Sequence, residues 1–251
     1  MTEGFAQLVA EAETAPIAGW DFSWLDGRAT EERPSWRYSA RVAERAAHAT
    51  RMLDLESGGG ELLAGLPKLP PLLVASEGYV PNVAVAARRL RPRGAWVVAT
   101  DGGRKALSFA DGAFDLVTSR HPVETWWAEI ARVLASGGTY LSQQVGPHSL
   151  RRLSEFFLGP LPDDSSRDPA TAVEAATAVG LTVTELQSER LRTEFFDVGA
   201  VVYFLRLVVW IVPGFAVGRF SNRLRAMHEH IAREGAFVDD ATRFLIEAKK
   251  P

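Results

Sequence analysis

The sequence predicts an α/β domain whose mostly parallel sheet is covered by helices on both faces. Three observations lead there. Short, continuous apolar runs recur through the middle of the chain, at 51–55, 72–76, 95–100, 114–118 and 139–145. Stretches with helical periodicity separate them. A glycine cluster, Gly58-Gly59-Gly60, follows the first run directly. Unbroken apolar runs mark strands buried on both faces, as in a parallel sheet, whereas a sheet with one wet face alternates. The order strand–helix–strand–helix–strand then points to a doubly wound, Rossmann-like architecture.

Taken in order, residues 1–45 are rich in Trp, Arg and Glu and read as a helical cap. Pro34 breaks it, and a helix from Ser35 leads into the core. The strand at 51–55 runs through the glycines into a helix ending near Gly65. The strand at 72–76 is followed by a helix over 81–90, and the strand at 114–118 by a helix over 126–134. Beyond 145 the pattern is less regular. Residues 160–169 form a loop, and 170–179 an Ala-rich helix closed by Gly180, a residue suited to a helix C-cap. Strands are expected at 181–186 and 242–248, with an apolar insert at 198–217 and a polar helix at 221–234 between them. The expected division is a cap over 1–45 and an α/β domain over 46–251 that carries a lid insert at 190–235. The insert is long enough to span a bilayer. Arg206 inside it and Pro213 across it favour a buried helix or lid instead.

Composition narrows the function. A chain of 251 residues with 47% hydrophobic content can bury a full core. It has no cysteine, which excludes disulfides and thiolate metal sites. The acidic N-terminus lacks a signal-peptide pattern, so a cytoplasmic location is expected. A net charge of −3 weighs against a broad nucleic-acid-binding face. The run Arg88, Arg89, Arg91, Arg93 reads as a solvated helix end rather than a basic groove. No metal is expected, since His228 and His230 sit on a polar helix without partners.

Candidate ligand groups fall at successive strand ends, where open α/β sheets bind ligands. Asp54 closes the first strand, and Glu56, Ser57, Gly58 and Gly60 make the turn into the helix. Small residues there let a backbone approach a ligand and aim free N–H groups at it. A tight turn with no ligand is the plainer alternative. Glu77-Gly78 follows the second strand, about twenty residues on, where a carboxylate can accept both hydroxyls of a ribose. Asp101-Gly102 follows the third strand, at a place suited to an adenine amine. Ser119-Arg120-His121 closes the fourth.

These residues resemble class I S-adenosylmethionine-dependent methyltransferases. LDLESGGGE (53–61) resembles their first motif. ALSFADGAFDLVTSRH (106–121) and EIARVLASGGTYLSQQV (129–145) are similar to segments of the branch that contains ubiquinone and menaquinone methyltransferases. The resemblance covers about residues 50–147 and implies a seven-stranded sheet with an antiparallel last strand and a helical cap. It implies S-adenosylmethionine as cofactor, with S-adenosylhomocysteine as product. Asp54, Gly58 and Gly60 would then shape the methionine site, Glu77 would hold the ribose and Asp101 the adenine. Ser119 would lie near the sulfonium. Tyr38 resembles aromatic residues that close over the cofactor. The family pattern has glycine where this chain has Glu56. That side chain could crowd the cofactor, bind its amino group, or mark a lost site.

His121 is the candidate general base, with an ordinary pKa near 6.5 that suits the role. A histidine that merely packs at the rim is the alternative, and His148 is a second candidate. Tyr203, Phe204, Trp210 and Phe215 could line an apolar acceptor pocket, or belong to a core or a homodimer face. The expected function is methylation of a small, partly apolar organic acceptor. An RNA or protein methyltransferase, or a cofactor-binding protein without catalysis, remains open.

Overall fold

The fold is described from a computed structural model, for residues 2–17, 19–100 and 106–251. The elements run α1 (Thr2–Thr14), β1 (Ala29–Glu31), α2 (Tyr38–His48), β2 (Arg51–Leu55), α3 (Glu61–Ala64), β3 (Leu72–Glu77), α4 (Val80–Leu90), β4 (Trp96–Ala99) and β5 (Phe114–Arg120). They continue with α5 (Trp127–Val133), β6 (Leu134–Val145), α6 (Arg151–Leu158), α7 (Pro169–Ala178), β7 (Thr182–Phe195), α8 (Val198–Leu207), α9 (Ser221–Glu234) and β8 (Phe237–Lys249). The strands pair in the order β1-β7-β8-β6-β5-β2-β3-β4. The sheet therefore has eight strands, not the seven expected. The additional one, β1, pairs antiparallel with the end of β7, Ala29 opposite Phe195.

By its internal contacts the chain divides into two compact units. One comprises 1–33, 148–164 and 190–242; the other 34–147, 165–189 and 243–251. The N-terminal boundary between these two units falls at Arg33–Pro34. Helix α2, read from the sequence as leading into the core, belongs to the α/β unit.

In the α/β unit, β4, β3, β2, β5 and β6 are parallel and β8 is antiparallel to β6, as expected for the last strand. Two apolar clusters flank this sheet. One packs Val42 and Ala46 of α2 and Ala86 and Leu90 of α4 against Met52, Leu73 and Leu116. The other packs Ile130 of α5 and Ala172 and Ala176 of α7 against Leu53, Val117 and Phe244. Each inner strand sends alternate side chains into opposite clusters, which is why it reads as an unbroken apolar run.

The other unit has its own core, centred on α8. Nine of the ten α8 residues are buried, Arg206 being the exception. Asp197 caps the helix by accepting the Ala200 N–H at 2.8 Å. The Arg206 guanidinium donates to the carbonyls of Ala12 and Ala15 at the end of α1. The first half of the apolar insert, 198–207, is therefore a buried helix, and among the described residues no helix is long and apolar enough to cross a membrane. Tyr203 and Phe204 are core residues, and Tyr203 donates its hydroxyl to the Asp21 carbonyl at 3.0 Å. Trp210 is 46% exposed and packs edge-on against Trp20.

Candidate active site

The glycine turn follows β2 as the sequence predicts. Glu56 opens it at φ 54°, and Gly58 and Gly60 follow at 59° and 78°. Glu56 thus occupies a left-handed conformation that glycine adopts without penalty and other residues rarely do. The glycines have a structural reason here. A Cβ on Gly60 would lie 2.8 Å from Leu90 Cδ1. The arginine run at the end of α4 also has one. Arg89 donates to the Gly59 carbonyl and pairs with Glu61. Arg93 donates to the carbonyls of Leu63, Ala64 and Leu66, closing the C-terminal end of the one-turn helix α3.

Three acids stand at the ends of β2 and β3. Asp54 is buried and accepts the Thr118 hydroxyl at 2.5 Å. Burial, with a smaller contribution from the Glu77 charge, pushes its pKa up to about 6. Glu56 accepts the Val123 N–H at 2.8 Å, and burial together with the charges of Glu77 and Glu124 raises its pKa. Glu77 accepts the Gly58 N–H at 2.6 Å and the Tyr79 N–H at 2.8 Å. Among the described residues these three carboxylates accept from N–H groups and hydroxyls and form no ion pair, although the Arg120 charge acts on Asp54. Ser57 closes the turn by donating its N–H to the Ser76 carbonyl at 3.0 Å. Gly78 is exposed, with 3.6 Å of room for a Cβ. Asp101 and Gly102 lie outside the described residues.

Ser119 and Tyr38 belong to the interior. Ser119 Oγ lies 2.8 Å from the Tyr140 hydroxyl and 2.9 Å from Ser142 Oγ. Tyr38 donates to the Ser119 carbonyl at 2.7 Å, and burial holds its phenol protonated. Its hydroxyl fastens α2 to β5. This gives Tyr38 a role in supporting the strand end that does not require closing over a ligand.

His121 follows β5 at φ 53°. Its N–H donates to the Gln143 carbonyl at 2.7 Å, and its Nε2 lies 2.8 Å from Gln143 Nε2. Trp36 Nε1 donates to Gln143 Oε1 at 2.8 Å. Burial first, then the charges of Arg243, Arg120 and Arg167, holds the His121 pKa well below its ordinary value. Trp36, Thr118, Tyr140 and Gln143 were not singled out in the sequence. The one available signal was a pair of glutamines, Gln143-Gln144, closing an apolar strand.

The two later motifs form one clamp. Glu129 accepts the Leu107 N–H at 2.6 Å. Arg132 donates to the carbonyls of Leu107 and Phe109 and to Asp111. Both charged residues come from the EIARVL segment and pair with each other, and their other partners named here come from ALSFADG. Residues 53–142 match the family of the methyltransferase domain. Over that segment, from the glycine turn into β6, the chain is similar to a methyltransferase domain.

Demethylmenaquinone methyltransferase of Thermus thermophilus is 32% identical over 120 residues, 45% of this chain and 54% of the relative. The chain thus spans about half the length of the curated relative it matches. A provisionally assigned methyltransferase from Bacillus halodurans C-125 superimposes with a TM-score of 0.60 at 17% identity, over 85% of this chain and 98% of that one. Phosphoethanolamine N-methyltransferase 2 of Haemonchus contortus, solved with S-adenosylhomocysteine, gives a TM-score of 0.51 at 16% identity, over 86% of this chain and 53% of that one. At such identities the structural likeness speaks for the methyltransferase fold. The clamp and the glycine turn both lie within the matched segment.

Proposed function

We propose that the protein transfers a methyl group from S-adenosylmethionine to a small, partly apolar organic acceptor. The observation that carries this reading is the trio Asp54, Glu56 and Glu77 at the glycine turn, buried or half-buried acids that form no ion pair among the described residues. Such acids favour a cation, because a charge taken out of water needs an opposite one. S-adenosylmethionine offers both an ammonium and a sulfonium. Glu77 keeps lone pairs free beside its two N–H partners, since a carboxylate has about four acceptor positions. It would hold the ribose hydroxyls, while Asp54 and Glu56 would favour the charged end of the methionine. Bound there, the cofactor supplies a methyl already activated by positive sulfur. The protein's part is to align an acceptor and exclude water.

The related menaquinone enzyme supports a small organic acceptor. Calorimetry with S-adenosylhomocysteine tests the cofactor half of the reading. Micromolar binding is expected, and no heat at millimolar ligand would refute it. Glu56 favours a second reading, a binding protein of this fold without catalysis. Methyl transfer from labelled S-adenosylmethionine into a cell extract separates the two, since only an enzyme labels a product.

A further inference from the structure

The surroundings of His121 fix where its proton sits. The indole N–H of Trp36 can only donate, so the Gln143 atom that meets it at 2.8 Å is the carbonyl oxygen. The amide nitrogen of Gln143 then faces His121 Nε2 at 2.8 Å. An amide nitrogen donates and does not accept, so His121 Nε2 is the acceptor and carries no proton. In the neutral ring the proton must be on Nδ1. Both supporting side chains are buried, Trp36 at 5% and Gln143 at 3% exposure, and the backbone bond from His121 N–H to Gln143 O holds the ring's root. The ring has no lone pair left for a substrate proton, which argues against the general base expected from the sequence.

The charges that weigh on this ring are positive, from Arg243 on β8, Arg120 on β5 and Arg167 ahead of α7, and of these Arg120 also acts on Asp54. The acids stand at the ends of the neighbouring strands β2 and β3. The strand ends β2 and β3 are thus the more negative part of the site and the surroundings of His121 the more positive. Resting on the methyltransferase reading, we propose that Trp36 and Gln143 fix His121 as a neutral Nδ1–H donor, and that the acceptor it meets is an oxyanion such as a carboxylate, phenolate or enolate. Such an acceptor needs no base. Its oxygen lone pair forms the new O–CH3 bond, the C–S bond breaks with its electrons going to sulfur, and no proton is released. Trp36 and Gln143 are positioning residues that act through His121.

Nitrogen-15 NMR of histidine-labelled protein reads the tautomer with no ligand present. The His121 signal, identified by its loss in His121→Asn, should show a protonated Nδ1. It should not titrate between about pH 5 and 8, the window in which an ordinary histidine does. In Gln143→Glu the carboxylate accepts from both neighbours, so the proton should move to Nε2 and titration should appear. A protonated Nε2, or ordinary titration, in the unaltered protein overturns the tautomer.

Kinetics on the labelled extract product test the role. Asn places an amide N–H near the Nδ1 position and Gln near Nε2. His121→Asn should retain kcat/KM within about fivefold, while His121→Gln loses roughly 10- to 100-fold, the worth of a hydrogen bond to a charged group. Equal loss in both overturns the donor role. The labelled methyl should sit on an oxygen of an acidic product. Label on nitrogen, or S-adenosylhomocysteine binding with no O-methylated product, overturns the acceptor class. No S-adenosylhomocysteine binding at all would instead sink the methyltransferase reading, and the NMR result would still stand on its own.

Discussion

The parallel neighbours β2 and β5 end in two turns built alike and charged differently. Each places a non-glycine residue in the left-handed region directly after the strand, Glu56 at φ 54° and His121 at φ 53°. The Glu56 carboxylate reaches the second turn to accept the Val123 N–H. In the first turn buried acids gather with N–H groups as partners. In the second a neutral imidazole stands among arginine charges. Strained backbone persists only where its surroundings over-determine it, and it clusters at functional sites. The shared geometry fixes where each side chain points. The difference in charge is what the proposed cofactor and acceptor would each meet.

The largest effect should come from disturbing the backbone of the first turn. Gly60→Val meets a positive φ of 78° and a Leu90 methyl 2.8 Å from the new Cβ. Left-handed strain and overpacking each cost about 1–3 kcal/mol, so a loss of about 3 kcal/mol is expected in urea denaturation. Gly78→Ala, whose new Cβ would lie at an ordinary contact distance of 3.6 Å from Thr100, should stay within about 0.5 kcal/mol. Equal stability of the two variants would mean that the turn is not held as described.

Much of this architecture was legible because parallel strands announce themselves. The runs at β2, β3 and β5 have apolar residues facing two cores, and the sequence boundaries lie within two residues of the observed ones. β7 and β8 were read too short, for a physical reason. Thr182–Phe195 alternates half-buried and exposed residues over much of its length, with Glu185, Glu189 and Arg190 among them, so its apolar signal stops after Leu186. β8 starts at Phe237, but Asp239 and Asp240 interrupt the run. Asp239 is buried because it accepts the Leu153 N–H at the start of α6, a contact 86 residues away that no local pattern reveals. The site divides in the same way. Its acids could be read because they end strands. The Trp36–Gln143–His121 chain could not, since its members are 107 and 22 residues apart and meet only through the sheet.

A second effect separates the acids by pH. Asp54 has a folded pKa of about 6 against an ordinary 3.8, so between those values the folded protein holds a proton that the unfolded chain has lost. Stability therefore falls as pH rises from about 4 to 6 and stays lower above, by up to about 3 kcal/mol. Asp54→Asn keeps an acceptor for the Thr118 hydroxyl and removes the charge. Its stability relative to the unaltered protein should rise across that window in ligand-free thermal scans. A constant difference from pH 4 to 7 would show that Asp54 is not the titrating group.

The smallest effect is the sharpest test of the two-turn contrast. Glu56→Gln keeps the left-handed residue and can still accept the Val123 N–H, but it carries no charge. Glu56→Gly relieves about 1 kcal/mol of left-handed strain and gives up the bond to the second turn. If the first turn favours a cation through the Glu56 charge, both variants should weaken S-adenosylmethionine binding by about tenfold, the worth of one charge-assisted hydrogen bond. Folding stability should change by less than about 1 kcal/mol, because strain relief and the lost bond offset each other. If Glu56 instead only crowds the site, Glu56→Gly should tighten binding and Glu56→Gln should leave it unchanged. The two variants thus separate charge from bulk at the one position where this chain departs from the family's glycine.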